Sequence, residues 1–243
     1  MDFTGRRVVV TGGTRGIGSA IAAAFLAAGA RVLVCGRGSY DGPAGFVRAD
    51  IRDPGQAAAL IAAAQERLGG VDVLVNNAGG APAVPAATAS PRLHAKIVEL
   101  NLVAPLHVSQ AANAVMQAQP GGGVILMVGS VSGTRPSPGS AAYGAAKAGL
   151  HHLATSLAAE WAPAVRVNCV VPGPIEGLLD PEAVARTVPM GRAAAPGDVA
   201  GVCLLLASPL ASYVTGASVA VHGGGEWPGY LADPRDAAYR AQK

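Results

Sequence analysis

Residues 6–18 read RRVVVTGGTRGIG, and this stretch decides the fold of the chain. Its β-branched run ends at Val10 and predicts a short strand, after which Ile17, Ile21 and Phe25 recur at helical spacing. The stretch is therefore a strand, a glycine-rich turn and a helix. Such a turn aims backbone N–H groups of the helix N-terminus at an anion, so we predict a pyrophosphate site here. A plain tight turn without a ligand is the alternative.

Strands and helices alternate along the rest of the chain. Further buried runs predict strands at 31–35, 46–51, 71–75, 124–130, 165–170 and 218–221. Apolar residues at helical spacing predict helices at 56–68, 93–104, 143–161 and 198–206. This alternation predicts an α/β fold of the Rossmann type, a doubly wound parallel sheet of about seven strands flanked by helices. Residues 1–243 are expected to form that single domain.

Composition narrows the range of partners. The net charge of +3 is spread without a basic block, which argues against nucleic-acid binding. The apolar runs fall far short of the roughly 18 residues that span a bilayer, and residues 1–5 lack a signal-peptide layout. We therefore expect a cytoplasmic protein that binds neither nucleic acid nor membrane. Cys35, Cys169 and Cys203 lie far apart in apolar surroundings, which is typical of reduced core thiols.

The five histidines do not follow a metal-binding pattern. His151 and His152 are adjacent on a predicted helix, so their side chains point about 100° apart and cannot chelate one ion. His94, His107 and His222 have no ligating partner at a suitable spacing. We predict no metal.

A second group of residues suits acid–base chemistry. Tyr143 and Lys147 are four positions apart on a predicted helix and share one of its faces. A neighbouring ammonium favours the phenolate, so the pKa of Tyr143 is expected to fall below its ordinary value of about 10. Ser130 ends the buried run 124–130 and brings a hydroxyl toward the same place. Because Tyr-x-x-x-Lys pairs also occur by chance on exposed helices, the surrounding motifs decide the interpretation.

With these motifs the chain resembles the short-chain dehydrogenase/reductase family from the glycine turn to Gly224. The T-G-x-x-x-G-x-G pattern at 11–18 and Asn-Asn-Ala-Gly at 76–79 are similar to the family's motifs. So are Ser130, placed thirteen residues before Tyr143, and Pro-Gly at 172–173. The resemblance implies an oxidoreductase that interconverts a carbonyl and a secondary alcohol on a small or hydrophobic substrate, with a nicotinamide cofactor.

The resemblance also implies a role for each site residue. Ser130 binds the substrate oxygen together with Tyr143, and Tyr143 exchanges its proton with the substrate as the general acid/base. Lys147 lowers the pKa of Tyr143 and holds the nicotinamide ribose, and Asn101 holds a water in a proton relay behind the lysine. The implied cofactor-binding residues are Gly12, Thr14, Arg15, Gly16, Ile17, Gly18, Arg37, Asp50, Ile51, Asn77, Ala78, Gly79, Tyr143, Lys147, Pro172, Gly173 and Ile175.

Two arginines favour NADP(H) over NAD(H), although NAD(H) remains possible. Arg37 follows the second predicted strand, where an NAD site places an acid and an arginine suits a 2′-phosphate. Arg15, in the glycine turn, is a second cation at a position that is often basic in the family's NADP users. Two solvated surface arginines are the alternative. Residues 38–45 show no helical periodicity where most relatives have a helix, which is expected to open the adenine end of the site.

The remaining predictions concern a lid segment, a C-terminal tail and the oligomeric state. Residues 174–197 take the substrate-lid position and 225–243 form a polar C-terminal tail. Gly177 stands where relatives commonly have Thr, and His222 where they usually have Asp. The resemblance implies a homotetramer, with a homodimer as the alternative.

Three other functions remain to be weighed. A sensor or scaffold that binds NADP(H) without turnover is compatible with the fold alone. The set of Asn101, Ser130, Tyr143 and Lys147 argues against it. A dehalogenase of this fold is expected to lack the nucleotide glycines, and an enoyl reductase to space its Tyr and Lys more widely. This chain has the glycines, and its Tyr143 and Lys147 are four positions apart, so neither feature is present.

Overall fold

The computed structural model of the protein describes residues 1–226. Residues 227–243, which hold Trp227 and Tyr230 of the predicted tail, lie outside the described residues. The strands are β1 Arg7–Thr11, β2 Arg31–Gly36, β3 Gly45–Arg48, β4 Val73–Asn76, β5 Gly123–Val128, β6 Val165–Pro172 and β7 Ser218–Val221. The α-helices are α1 Gly16–Ala27, α2 Pro54–Leu68, α3 Pro91–Val98, α4 Ala104–Gln117, α5 Ala141–Trp161, α6 Pro181–Thr187 and α7 Pro196–Ala207.

The strands form one parallel seven-stranded sheet in the order β3-β2-β1-β4-β5-β6-β7. The chain runs outward from β1 to β3, returns to the other side of β1 with β4, and continues to β7. This reversal opens a crevice at the carboxyl ends of β1 and β4. The predicted Rossmann-type α/β fold is confirmed, and the carboxyl edge is where its ligand site is expected.

Apolar layers cover both faces of the sheet. One face packs against α2, α4 and α5 through buried residues such as Leu60, Val108 and Leu150. The other packs against α1 and α7 through Phe25 and Val199, and the Phe25 ring meets Phe3 edge to face at 5.0 Å between centroids. Among residues 1–226, no helix is both long and apolar enough to cross a bilayer.

Several element bounds differ from the prediction. β3 ends at Arg48 and β5 at Val128, so Asp50, Ile51 and Ser130 follow their strands rather than end them. The predicted helix 93–104 is interrupted by a π-helical turn, Glu99–Val103, between α3 and α4. No helix occurs at 37–44, as predicted. The observed strands end earlier than predicted because a hydrophobic pattern indicates burial and not hydrogen bonding. A buried residue just after the last hydrogen bond of the sheet cannot be distinguished in the sequence from a residue within the strand.

The amino edge of the sheet is closed by paired arginines. Arg7 donates through Nε and Nη2 to the carboxylate of Asp72, at 2.9 and 2.6 Å. Arg31 donates to the carbonyls of Leu68 and Arg67, at 2.8 and 2.6 Å, at the C-terminus of α2. Cations at this end of a helix also interact favourably with its dipole. These contacts tie the start of β1 to the segment before β4, and the start of β2 to the end of α2.

Candidate active site

A cavity of about 770 Å³ lies at the carboxyl edge of the sheet, a size that fits a cofactor. Ser130 and every predicted cofactor-binding residue line it. These are Gly12, Thr14, Arg15, Gly16, Ile17, Gly18, Arg37, Asp50, Ile51, Asn77, Ala78, Gly79, Tyr143, Lys147, Pro172, Gly173 and Ile175. Asn101 is the predicted site residue that does not line this cavity. The fold thus brings segments from six strand ends to one place.

Side chains of two strand ends tie the glycine turn to β4. The Thr11 hydroxyl accepts hydrogen bonds from the backbone N–H groups of Asn77 and Ala78, at 3.0 and 3.1 Å. The Asn77 amide donates to the carbonyls of Thr11 and Gly12, at 3.0 and 3.1 Å. The N-terminus of α1 therefore faces the cavity in a fixed position, ready for an anion. Asn76 is used differently, since its amide is buried and donates to Ser109 at 2.8 Å.

The two predicted phosphate-binding arginines are both exposed at the cavity. Arg15 directly precedes α1, and Arg37 directly follows β2. Within residues 1–226, neither guanidinium makes a hydrogen bond or ion pair with the protein. Their donors are therefore available to a ligand, which fits a 2′-phosphate.

Asp50 is held by an arginine that the sequence analysis did not single out. Arg52 donates through Nε at 2.9 Å and through Nη2 to the Asp50 carboxylate. Hydrogen bonds from Arg52 and the charge of Arg37 lower the pKa of Asp50 below its ordinary value. The carboxylate stays ionised and fixed in orientation. The Asp-x-Arg spacing was the available signal, but it is common in loops.

Tyr143, Lys147 and Ser130 meet as predicted. Tyr143 and Lys147 share a face of α5, with the Lys147 ammonium 5.6 Å from the centre of the tyrosine ring. Lys147 is 3% exposed and donates to the carbonyl of Val128 at 2.7 Å. The Ser130 side chain hydrogen-bonds that of Tyr143. One hydroxyl pair and one ammonium thus converge at the end of β5.

The predicted lowering of the pKa of Tyr143 is wrong. Burial raises the pKa of Tyr143 above 10, and the hydrogen bond with Ser130 opposes this only in part. Burial also lowers the pKa of Lys147 to about 8, so the ammonium itself is disfavoured. The physical reason is that taking a phenol and an ammonium out of water penalises the charged form of each. The sequence indicated the pairing but not the depth of burial.

Asn101 lies on the π-helical turn and is fully buried. Its amide nitrogen donates to the carbonyls of Gly80 and Ile97, and its oxygen accepts from the Gly80 N–H, all at 2.9 Å. Both donors are thereby used by the backbone. The side chain fixes the segment after β4 against the helix, and its part in a water relay stays a prediction.

The segment 174–197 is anchored at its ends. Ile175 and Ala194 form a β-bridge, and the N–H of Ala194 donates to the carbonyl of Pro174 at 2.8 Å. Gly177 has φ +80°, a left-handed conformation that strains a β-branched residue such as threonine. A threonine at position 177 would therefore be strained in this backbone conformation. Leu178 lines the cavity yet is 75% exposed.

His222 lies directly against the Pro-Gly turn. A Cβ added to Gly173 would be 2.7 Å from the His222 Cβ. His222 also lines a second cavity of about 280 Å³ with Arg192 and Asp198. The reason for histidine here in place of aspartate is not explained by these contacts. Among residues 1–226, no group of three or more His, Cys, Asp or Glu side chains is arranged to hold a metal.

Sequence reasoning missed some residues that line the cavity. They include Cys35, Gly36, Ala49, Val128, Gly129, Glu176, Leu178 and Pro196. Several of these end or follow a buried strand, which was a usable signal. Glu176 and Pro196 lie within the predicted lid segment 174–197, but no feature of the sequence singled them out within it. His151 was also missed; its Nε2 accepts a hydrogen bond from the backbone of Ser130.

Comparison with known proteins gives the class to which this fold and site belong. Residues 12–226 match a family model described as "Enoyl-(Acyl carrier protein) reductase". The chain is 37% identical over 247 residues to a 3alpha-hydroxysteroid dehydrogenase of Mediterraneibacter gnavus, covering 92% of this chain and 98% of the relative. It is 39% identical over 245 residues to an L-rhamnose 1-dehydrogenase (NAD(P)(+)) of Azotobacter vinelandii, covering 90% and 96%.

A solved structure agrees with these relatives. A putative short-chain alcohol dehydrogenase from Sinorhizobium meliloti 1021 superposes with a TM-score of 0.86 at 33% identity, covering 92% of this chain and 97% of the other. The chain therefore belongs to the short-chain dehydrogenase/reductase family. It is an NAD(P)-dependent oxidoreductase that acts on the CH–OH group of small-molecule alcohols and on the matching carbonyls.

Proposed function

We propose that the protein interconverts a carbonyl and a secondary alcohol on a small or hydrophobic substrate, with NADP(H) as the preferred cofactor. The observation that carries this proposal is that one cavity joins Tyr143, Ser130 and Lys147 to two arginines that have no side-chain partner among residues 1–226. The cofactor, when bound, supplies or accepts the hydride at C4 of its nicotinamide ring. The chain's own residues do the remaining work.

Tyr143 is the general acid/base. Because burial raises its pKa, the phenol is protonated at neutral pH and can donate its proton to a carbonyl oxygen that is being reduced. In the oxidation direction the same oxygen must first lose that proton, which the raised pKa makes harder. A protonated phenol suits reduction, whereas oxidation needs the phenolate, so we expect oxidation to be faster at alkaline than at neutral pH.

Ser130 and Lys147 support that proton transfer. Ser130 interacts with the phenol, and in the proposed role its single O–H turns to donate to the substrate oxygen, which would fix the carbonyl beside Tyr143. Lys147, held by the Val128 carbonyl, keeps its ammonium 5.6 Å from the centre of the tyrosine ring and would hold the ribose of a bound cofactor. Asn101 acts as a positioning residue through the Gly80 backbone.

Cofactor preference rests on Arg15 and Arg37. Both arginines line the cavity, and we assign their part of it to the 2′-phosphate of the cofactor, which brings close to two negative charges. No helix covers Arg37 at 37–44, which supports access to this arginine. An NAD site has an acid at the position of Arg37, and that acid is absent here.

The polarity of the substrate is inferred from residues 174–197, which we assign as the lid. Three of the most exposed large apolar side chains lie on it: Leu178 is 75%, Leu179 59% and Met190 65% exposed. Of these, Leu178 lines the active cavity, and apolar surface at such a cavity favours a hydrophobic substrate. The names of the relatives cover a hydroxysteroid and a sugar, so they do not narrow the class further.

A substrate screen tests the function. The protein is incubated with NADPH and a panel of ketosteroids, β-keto thioesters, aliphatic ketones and sugars, and NADPH consumption is followed by absorbance. We expect turnover of an apolar ketone and a higher kcat/KM with NADPH than with NADH. Adding an enoyl thioester to the panel tests the activity in the family model's description. NADPH binding without turnover on any of these compounds would favour the sensor or scaffold function instead.

We infer that the protein assembles as a homotetramer. Leu205, Leu210 and Tyr213 are 43%, 79% and 102% exposed around α7 and the segment before β7, and such apolar groups favour burial in a symmetric interface. The measurement is light scattering at micromolar concentration. A tetramer mass is expected, a dimer mass would indicate the smaller assembly, and a monomer mass would contradict the inference.

A further inference from the structure

His151 lies on α5 one turn beyond Lys147 and two turns beyond Tyr143, so the three side chains follow one helix face. Its imidazole is half-buried, whereas the side chain of the adjacent His152 is exposed. None of the roles assigned above uses this residue. Its position beside the end of β5 nevertheless places it directly behind Ser130.

The contact between the two residues is a hydrogen bond. The backbone N–H of Ser130 donates to Nε2 of His151 at 3.3 Å. A backbone N–H can only donate, so Nε2 must be unprotonated to accept it. The imidazole is therefore neutral and carries its proton on Nδ1.

This bond completes the fixation of Ser130. The carbonyl of Ser130 accepts from the Gly133 N–H at 2.9 Å, and its Oγ accepts from the Ser132 N–H at 3.1 Å. β5 ends at Val128, so within residues 1–226 the sheet gives the Ser130 N–H no partner. The imidazole takes the place of that missing ladder acceptor.

The imidazole sits in a slot between two glycines. A Cβ added to Gly129 would be 2.3 Å from Nε2 of His151 and 2.8 Å from Sγ of Cys169. A Cβ added to Gly133 would be 2.9 Å from Cε1 of His151. Real Cβ contacts do not come this close, so both positions require glycine. The ring thus lies against the turn 129–133 at both of its glycines, and we expect a change at the ring to move the Ser130 backbone.

Two titratable groups face the imidazole. Lys147 lies one turn before it on α5, and Cys169 lies on β6 beneath it. Burial, and then the Lys147 charge, lower the pKa of His151 below 6.5. Burial raises the pKa of the Cys169 thiol to about 12, so Cys169 stays neutral. These surroundings favour the neutral imidazole that the hydrogen bond requires.

We propose that His151 is a positioning residue that holds Ser130 in its working place only while its imidazole is neutral. Protonation at Nε2 would turn the acceptor into a donor facing the Ser130 N–H donor, and the turn that carries the hydroxyl would shift. Activity then falls on the acid side as His151 becomes charged. The inference rests on the proposed role of Ser130 in binding the substrate oxygen.

The first test compares three variants. In His151→Gln the side-chain oxygen can still accept from Ser130 but does not titrate, and in His151→Leu the acceptor is lost. His152→Gln is the matched control, since it removes the exposed neighbour. At pH 7.5 we expect His151→Leu to lower kcat between about tenfold and about a hundredfold, a range typical of a misplaced reacting group. His151→Gln and His152→Gln should stay within about threefold of wild type.

The pH dependence of kcat distinguishes the proposed role from a purely structural one, because a structural role would not change it. Wild type and His152→Gln should lose kcat on an acid limb that lies below pH 6.5, the ordinary pKa of imidazole. His151→Gln should remain active below that limb. If the acid limbs of wild type and His151→Gln coincide, the proposal is overturned. The comparison of wild type with His151→Gln tests the proposal even if His151→Leu does not fold.

Imidazole ¹H–¹⁵N spectra test the protonation state without any activity. The His151 signals are assigned by their loss in His151→Gln. We expect the Nδ1-protonated neutral form at pH 7.5, and a proton on Nε2 at that pH would overturn the proposal. Tyr143→Phe and Ser130→Ala distinguish a failure of the proposed function from a failure of the positioning role of His151. If both keep wild-type activity, the proposed function fails; if both lose it while His151→Leu does not, only the positioning role fails.

Discussion

Strand β2 begins at Arg31 and is followed directly by Arg37. Both side chains are exposed, but they differ in their hydrogen-bond partners. Arg31 donates two hydrogen bonds to the C-terminus of α2, whereas Arg37 has no hydrogen-bond partner within residues 1–226. The same contrast separates the two edges of the sheet. At the amino edge Arg7 and Arg31 bind acceptors of the protein, whereas at the carboxyl edge Arg15 and Arg37 face a cavity. Exposure alone would have put both arginines in one class, so the partner is what distinguishes a structural cation from a ligand-binding one.

The largest effect is expected at the carboxyl edge, in Tyr143→Phe. The change removes the proton donor but keeps the ring and its contact with Lys147, so kcat should fall by at least about two orders of magnitude. NADPH affinity and Tm should remain close to wild type. The measurements are steady-state kinetics, cofactor titration and thermal unfolding. Near wild-type turnover would show that another group carries the proton.

Replacing Arg37 with Asp comes next. The change removes a cation and introduces a like charge beside the 2′-phosphate, which should cost about 2–4 kcal/mol for NADPH. NADH should gain or hold steady, because a ribose 2′-OH can donate to the new carboxylate. The measurement is kcat/KM for both cofactors with one substrate. A wild type that prefers NADH, or a mutant that still prefers NADPH, would make Arg37 a solvated surface residue.

At the amino edge, Asp72→Asn should change stability and not catalysis. Burial raises the pKa of Asp72, but the hydrogen bonds from Arg7 outweigh it and hold the pKa below 3.8. The folded state thus binds this proton less readily than the unfolded state. The stabilisation is present above about pH 4 and is lost as the pH falls through the folded pKa. We expect a loss of about 1–3 kcal/mol at pH 7.

Urea unfolding between pH 7 and pH 3 measures this prediction. The free energy of unfolding of wild type should fall toward acid pH more steeply than that of Asp72→Asn. Parallel curves for the two proteins would mean that the Arg7 pair adds no pH-dependent stability. The catalytic constants at pH 7 serve as the control and should be unchanged.

The smallest effect is expected for Arg31→Ala, the counterpart of Arg37 on the same strand. Losing two hydrogen bonds from a solvent-exposed guanidinium should cost about 1 kcal/mol of stability. The preference between NADPH and NADH should not move. If Arg31→Ala shifts cofactor preference as strongly as Arg37→Asp, the distinction between the two edges does not hold.

The sequence by itself determined the fold class and most of the cavity. Val8 to Gly18, the apolar runs and the helical spacing act through short-range patterns, which a reader of the chain can follow without coordinates. Because parallel strands end at one edge, residues that follow those strands must meet there. That rule was enough to join Arg37, Asp50 and Ser130 before their positions were known.

The tertiary structure alone decided how those residues are charged and held. Burial raised the pKa of Tyr143, where its spacing from Lys147 had predicted a lower one. The slot between Gly129 and Gly133 brought His151 to the Ser130 backbone. Both outcomes depend on solvent exclusion and on contacts between segments distant in sequence. A local pattern states which residues are near each other along a helix, but not how much water remains around them.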